Sequence, residues 1–148
     1  MMKIQDIMTK DPACVTPATT VRDVAQLMQR EDTGAIPVVE SSDSRRLVGM
    51  VTDRDIAIRV VAEGRDGDTR VSEVMTESRL ATLSADASMD DVMRRMADEQ
   101  VRRIPIVDER GALVGIVSQA DVVRKARDDQ QSEQTVEAIS RPGGQHQQ

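Results

Sequence analysis

The chain contains no phenylalanine, tyrosine or tryptophan. Without aromatic rings it cannot grip single-stranded nucleic acid by base stacking. A base bound anywhere on it must lie between Ile, Val, Leu, Met and Pro side chains. The single cysteine, Cys14, excludes an internal disulfide and a cysteine-built zinc cluster. The single histidine, His146, stands in the C-terminal tail, so no Cys–His nucleophile is expected. No apolar run approaches the roughly 18 residues of a membrane span. Met1 to Asp6 carry no apolar signal region, which makes the cytoplasm the expected location. Basic charge is also short. The net charge is −6 and the pI is near 4.8, against a general nucleic-acid binder. Motifs of the GxGxxG, P-loop and GxSxG types are missing. Asp66-x-Asp68 and Asp128-Asp129 lack metal-loop spacing and read as solvated acids. No metal, no catalytic set and no enzyme activity are therefore expected.

What is present is a repeat. Gly49-Met50-Val51-Thr52-Asp53-Arg54-Asp55-Ile56 returns 66 positions later as Gly115-Ile116-Val117-Ser118-Gln119-Ala120-Asp121-Val122. Ile7-Met8-Thr9 matches Val74-Met75-Thr76, and Ile36-Pro37-Val38-Val39-Glu40 matches Ile104-Pro105-Ile106-Val107-Asp108. Val15-Thr16-Pro17-Ala18 matches Leu83-Ser84-Ala85-Asp86. Each copy reads as strand, helix, strand, strand, helix. Val21, Val24, Ala25, Leu27 and Met28 recur at helical spacing, as do Met89, Val92, Met93, Met96 and Ala97. Thr20 and Ser88, each with an acid three residues on, mark the helix starts. Ala35 to Glu40 and Arg46 to Val51 read as a hairpin, with Gly64 closing the helix that follows. Pro37 and Pro105 lack a donor and are expected at a strand start or an unpaired edge.

These boundaries give one repeat over residues 1–66, a second over 67–127 and a polar, mobile tail over 128–148. Val136 to Ile139 are a possible extra helical turn within that tail. A repeat of about 60 residues buries little core alone, so the two copies are expected to pack together through their sheets. At 39% hydrophobic residues, with nine methionines in place of aromatic fillers, the whole chain has the material for that core.

The bland reading of Thr52-x-x-Asp55 and Ser118-x-x-Asp121 is a pair of helix-capping boxes. Three further facts point to a binding site. A glycine precedes each hydroxyl by three residues inside a strand, where it would let a ligand approach. Each pattern opens a helix, where free amides attract anions. The Ile-Pro strand recurs beside it.

In this combination the chain resembles a tandem pair of cystathionine-β-synthase (CBS) domains, a Bateman module, over roughly residues 4 to 126. The resemblance implies an α+β fold of two pseudo-symmetric β-α-β-β-α repeats packed through their sheets. It implies a regulatory module that binds an adenosyl ligand, of the AMP, ADP, ATP or S-adenosylmethionine class, in clefts between the repeats. By the same resemblance Asp55 and Asp121 would hold the ribose, and Thr52 and Ser118 the phosphate. Thr16, Ala18, Ser84 and Asp86 would lie along the adenine, with Ile36-Pro37 and Ile104-Pro105 as its apolar wall. Arg102 and Arg103 would read phosphate in one copy and Arg54 in the other, which makes the two sites unequal. The alternative for Arg102 and Arg103 is surface ion pairing. A homodimer and a separate effector protein are the implied partners. The competing function is a ligand-free interaction module in which the signature residues only cap helices.

Overall fold

A computed structural model describes residues 3–77 and 80–134 of the chain. Ile4–Asp6 form a single 3-10 turn and lead into strand β1, Thr9–Lys10. Helix α1 spans Val21–Glu31, followed by strands β2, Ala35–Val39, and β3, Leu47–Thr52. Helix α2, Asp53–Ile56, runs directly into a π-helical turn at Ala57–Val61. The second copy starts with a 3-10 turn at Val71–Glu73. It continues through β4, Leu83–Ser84; α3, Met89–Glu99; β5, Arg103–Val107; β6, Leu113–Ser118; and α4, Gln119–Gln134. The expected α+β architecture of two like units is borne out.

The repeated residues make repeated structure. Thr20 Oγ1 accepts from the Asp23 amide at 3.2 Å, and Ser88 Oγ from the Asp91 amide at 3.1 Å, so both long helices start on their hydroxyls. Both end on a left-handed residue, Asp32 at φ 53° and Gln100 at φ 57°. In each hairpin the register slips by one at the matching place, between Val38 and Val39 and between Ile106 and Val107. Gly64, at φ +74°, ends the helical stretch that follows Thr52, as expected.

The prolines meet the expectation only in part: neither opens its strand, but the Pro37 nitrogen faces an unpaired position. Pro37 and Pro105 lie in the middle of β2 and β5, opposite Met50 and Ile116. The reason is visible on one side of β2. The Pro37 carbonyl accepts from the Val15 amide at 3.1 Å, while Met50 exchanges both backbone bonds with Thr76 at 3.0 and 2.8 Å. Among the described residues no partner asks Pro37 for the N–H it lacks.

The packing units cross the sequence repeats. The first core gathers Val24, Ile36, Val38 and Val51 with Val71, Val74 and Met75 from the start of the second copy. The second gathers Val92, Ile104, Ile106 and Val117 with Ile4 from the start of the first, and Ile7 and Met8 pack against it. The sheets follow suit. β1 pairs antiparallel with β6 in a sheet of order β1-β6-β5-β4, and Thr76 bridges to Met50 on β3. Each copy thus lends its leading segment to the other. Hairpin ends add a further join, where the Leu113 amide donates to the Arg45 carbonyl at 2.8 Å.

Helix α4 carries on through residues 128–134, the first part of the stretch read as a mobile tail. No glycine or proline interrupts that run, and Lys125 meets Asp129 one turn on at 3.5 Å. The remainder, including Val136 to Ile139, lies outside the described residues.

Candidate functional site

Among the described residues the two clefts that hold the signature hydroxyls lie between the halves, and each takes its walls from both. One, of about 430 Å3, joins Ile36 and Pro37 of the first copy to Ser118 and Asp121 of the second. The exchanged segment Thr9 to Ala13 completes it. The other, of about 670 Å3, joins Thr52 and Arg54 of the first copy to Arg102, Arg103 and Pro105 of the second, with Thr76, Leu80 and Ala81 alongside. Both volumes suit a small organic ligand.

Their charges are opposite. Asp11, Glu31, Asp32 and Asp121 line the smaller cleft against Lys10 and Arg103. Arg54, Arg102 and Arg103 line the larger one against Asp53 among the described residues. Surface ion pairing does not explain these arginines. Among the described residues none of the three has an ion pair or a side-chain hydrogen bond. Gly34, opposite Arg102 in the repeat, leaves room for the Asp53 carboxylate, which a Cβ there would meet at 2.7 Å.

The signature residues cap their helices in both copies. Thr52 Oγ1 accepts from the Asp55 amide at 3.1 Å, and Asp55 Oδ2 accepts from the Thr52 amide at 2.9 Å. Ser118 and Asp121 repeat both bonds at 3.1 and 2.9 Å. One oxygen of each carboxylate is thereby committed. The other lies 3.9 Å from Arg59 Nε in Asp55 and 3.3 Å from Arg124 in Asp121. Asp121 lines its cleft; Asp55 does not line the cleft that holds Thr52.

The signature glycines have a use other than ligand approach. A Cβ on Gly49 would stand 2.8 Å from Met75 Sδ and 3.0 Å from the Thr76 carbonyl. One on Gly115 would stand 2.9 Å from Met8 Cγ. They make room for the exchanged methionines, so this part of the sequence reading is corrected.

The CBS domain family model matches residues 4–62 and 71–128. The chain belongs to the CBS domain family. It is 47% identical over 122 residues to the CBS domain-containing protein YhcV of Bacillus subtilis, covering 82% of this chain and 84% of that protein. It resembles the crystal structure of Hypoxic Response Protein I with two coordinated zinc ions at TM-score 0.73 and 38% identity, over 83% of this chain and 98% of that one. It resembles the crystal structure of CBSX2 in complex with AMP at TM-score 0.74 and 27% identity, over 88% and 99%.

Within this CBS pair the expected site residues divide. Ile36, Pro37, Ser118, Asp121 and Arg103 share the acidic cleft. Thr52, Arg54, Arg102, Arg103 and Pro105 share the basic one. Thr16, Ala18, Ser84 and Asp86 line neither. Thr16 closes a turn with Thr19, the Ala18 carbonyl accepts from Arg70, and Asp86 lies at the surface 3.7 Å from Lys3. Ile104 is fully buried in the second core and walls neither cleft. Sequence reasoning missed Thr9, Lys10, Thr76, Leu80 and Ala81. The signal for them was the repeated Ile-Met-Thr-like start, which marked the copies without revealing that each start crosses over.

Proposed function

We propose that this CBS pair is a regulatory sensor. It binds an adenosyl ligand of the AMP, ADP, ATP or S-adenosylmethionine class between its repeats. It signals through altered packing or partner binding and catalyses nothing itself. One observation carries the reading: each cleft takes its walls from both copies. A ligand there touches two bodies at once, so it favours whichever arrangement it fits better. Aliphatic walls such as Ile36 and Pro37 suit a base held without aromatic stacking. The CBSX2 structure with AMP supports the ligand class. Exposed Ile58, Val61, Met93 and Val123 on the helices support a homodimer or an effector contact.

Lack of aromatic residues provides the test. The protein itself absorbs little near 260 nm, so a peak there that survives desalting and nuclease treatment is retained nucleotide. Calorimetric titration with adenosine, AMP, ATP and S-adenosylmethionine follows. Silence from all four at millimolar concentration sinks the sensor reading. A second reading has its own observation, the complete capping boxes at both signatures. In that reading the module binds partners without ligand, and Asp121→Ala costs stability while no adenosyl affinity exists to lose.

A further inference from the structure

We propose that Arg103 is a single guanidinium shared by the two clefts, so that each chain takes one polyphosphate-bearing ligand, in the basic cleft. The inference rests on the adenosyl reading above and adds which cleft, which charge and how many. Ala35 and Arg103 hold equivalent places in the repeat. Ala35 faces Thr52 across its hairpin and Arg103 faces Ser118 across the other. Both residues line both clefts, which puts them on the seam between the halves. Ala35 offers that seam a methyl group. Arg103 offers it a half-buried cation with no ion pair or side-chain hydrogen bond among the described residues.

A guanidinium presents a planar fork of donors matched to phosphate oxygens. Toward the basic cleft Arg103 acts with Arg54 and Arg102, enough cations to meet successive phosphates of one chain. Toward the acidic cleft it joins Lys10 in offsetting Asp11, Glu31, Asp32 and Asp121. It cannot do both. A polyphosphate that draws Arg103 into the basic cleft leaves the acidic cleft more negative, and that cleft then repels a second polyphosphate. The coupling is reciprocal, as any binding linkage must be. An uncharged adenosyl group feels little of it.

The experiment is calorimetry on the full chain with adenosine and ATP, at low and high salt. ATP is expected to bind once per chain, at least about tenfold tighter than adenosine, and to weaken as salt rises. Arg103→Gln should cost ATP affinity about tenfold more than it costs adenosine affinity. Arg103→Lys keeps the charge without the fork and should fall between. Glu31→Gln with Asp32→Asn, both at exposed positions, should admit a second ATP. Two ATP molecules per unmodified chain, an unchanged ATP affinity in Arg103→Gln, or a single ATP in the Glu31/Asp32 variant overturns the shared guanidinium while adenosine binding keeps the adenosyl reading alive. Silence from adenosine and ATP alike overturns both.

Discussion

The two halves share a backbone plan and differ in charge where they face each other. Strand register, the slip in each hairpin, the left-handed helix ends and the capping boxes all recur. The clefts nevertheless carry opposite charge. The lesson lies in which positions repeat. Proline, glycine, hydroxyl and aspartate recur and set the backbone. Charge sits where the copies part: Gly34 against Arg102, Ala35 against Arg103, Asp32 against Gln100, and Arg54 against Ala120. Duplication supplied two equal frames, and a few side chains made them two clefts of opposite charge.

The largest test concerns whether the halves are built across one another. Ile4 is fully buried in the second core. Ile4→Ala should cost about 2–5 kcal/mol in denaturant unfolding, with amide protection lost first around Val92 and Ile104. A cost below about 1 kcal/mol would remove the leading segment from that core.

Next comes a difference between the signature glycines. Gly49→Ala presses on the Met75 side chain and on the Thr76 backbone carbonyl at 3.0 Å, whereas the atoms nearest a Gly115 Cβ all belong to the flexible Met8 side chain. Overpacking of this kind costs about 1–3 kcal/mol. Thermal melts should place Gly49→Ala well below Gly115→Ala; the reverse order breaks the account of the exchanged methionines.

A smaller effect separates the carboxylates. Asp121 opens on its cleft and Asp55 does not line the other. Asp121→Ala should weaken adenosine about tenfold, and Asp55→Ala should leave it within about twofold. Equal losses at the two positions would mean that the capping pattern alone governs both.

The smallest effect is set by pH. The Ser88 amide, bonded to Asp91 at 3.0 Å, holds that carboxyl below its usual range; the Ser88 hydroxyl and Arg94 add to this. A lowered carboxyl stabilises the fold above the ordinary carboxylate range, and the gain disappears as pH falls through the lowered value. Helix α1 starts without such a carboxylate bond: Thr20 caps the Asp23 amide, and the Val21 and Arg22 amides donate to the Thr69 and Gly67 carbonyls. Acid titration followed by amide exchange should therefore fray α3 near Ser88, and Asp91→Asn should abolish that pH dependence.

Much of this was legible in the sequence. Helical spacing from Val21 to Met28 and from Met89 to Ala97, and the hydroxyl caps before them, depend on neighbours in the chain and appear as read. A difference of charge between the copies was also legible, because Arg102-Arg103 stand against Gly34-Ala35, but its layout was not: Arg54, expected in the other site, lines the same cleft as Arg102 and Arg103. The exchange of leading segments was not. It depends on partners far apart, Ile4 with Val92 and Val74 with Val51, and nothing local records such a choice. That one blind spot moved the cleft walls from Thr16 and Ser84 to Thr9 and Thr76. It also left the signature glycines assigned to a ligand when methionines occupy the space. The midstrand place of Pro37 was missed for a related reason, since Val15, bridged beside β2, takes the Pro37 carbonyl and the Val39 amide and asks nothing of the Pro37 nitrogen.

The exchange also imposes an order of assembly as the chain is made. The first half has its own hairpin early but lacks Val71, Val74 and Met75 until they emerge. Thr9 and Lys10 must wait for Ile116 and Gly115, so a segment made well before β6 finds its place only beside it. Such distant pairing folds slowly. Until Val92, Ile104 and Ile106 arrive, Ile4, Ile7 and Met8 remain an apolar hook without an eye.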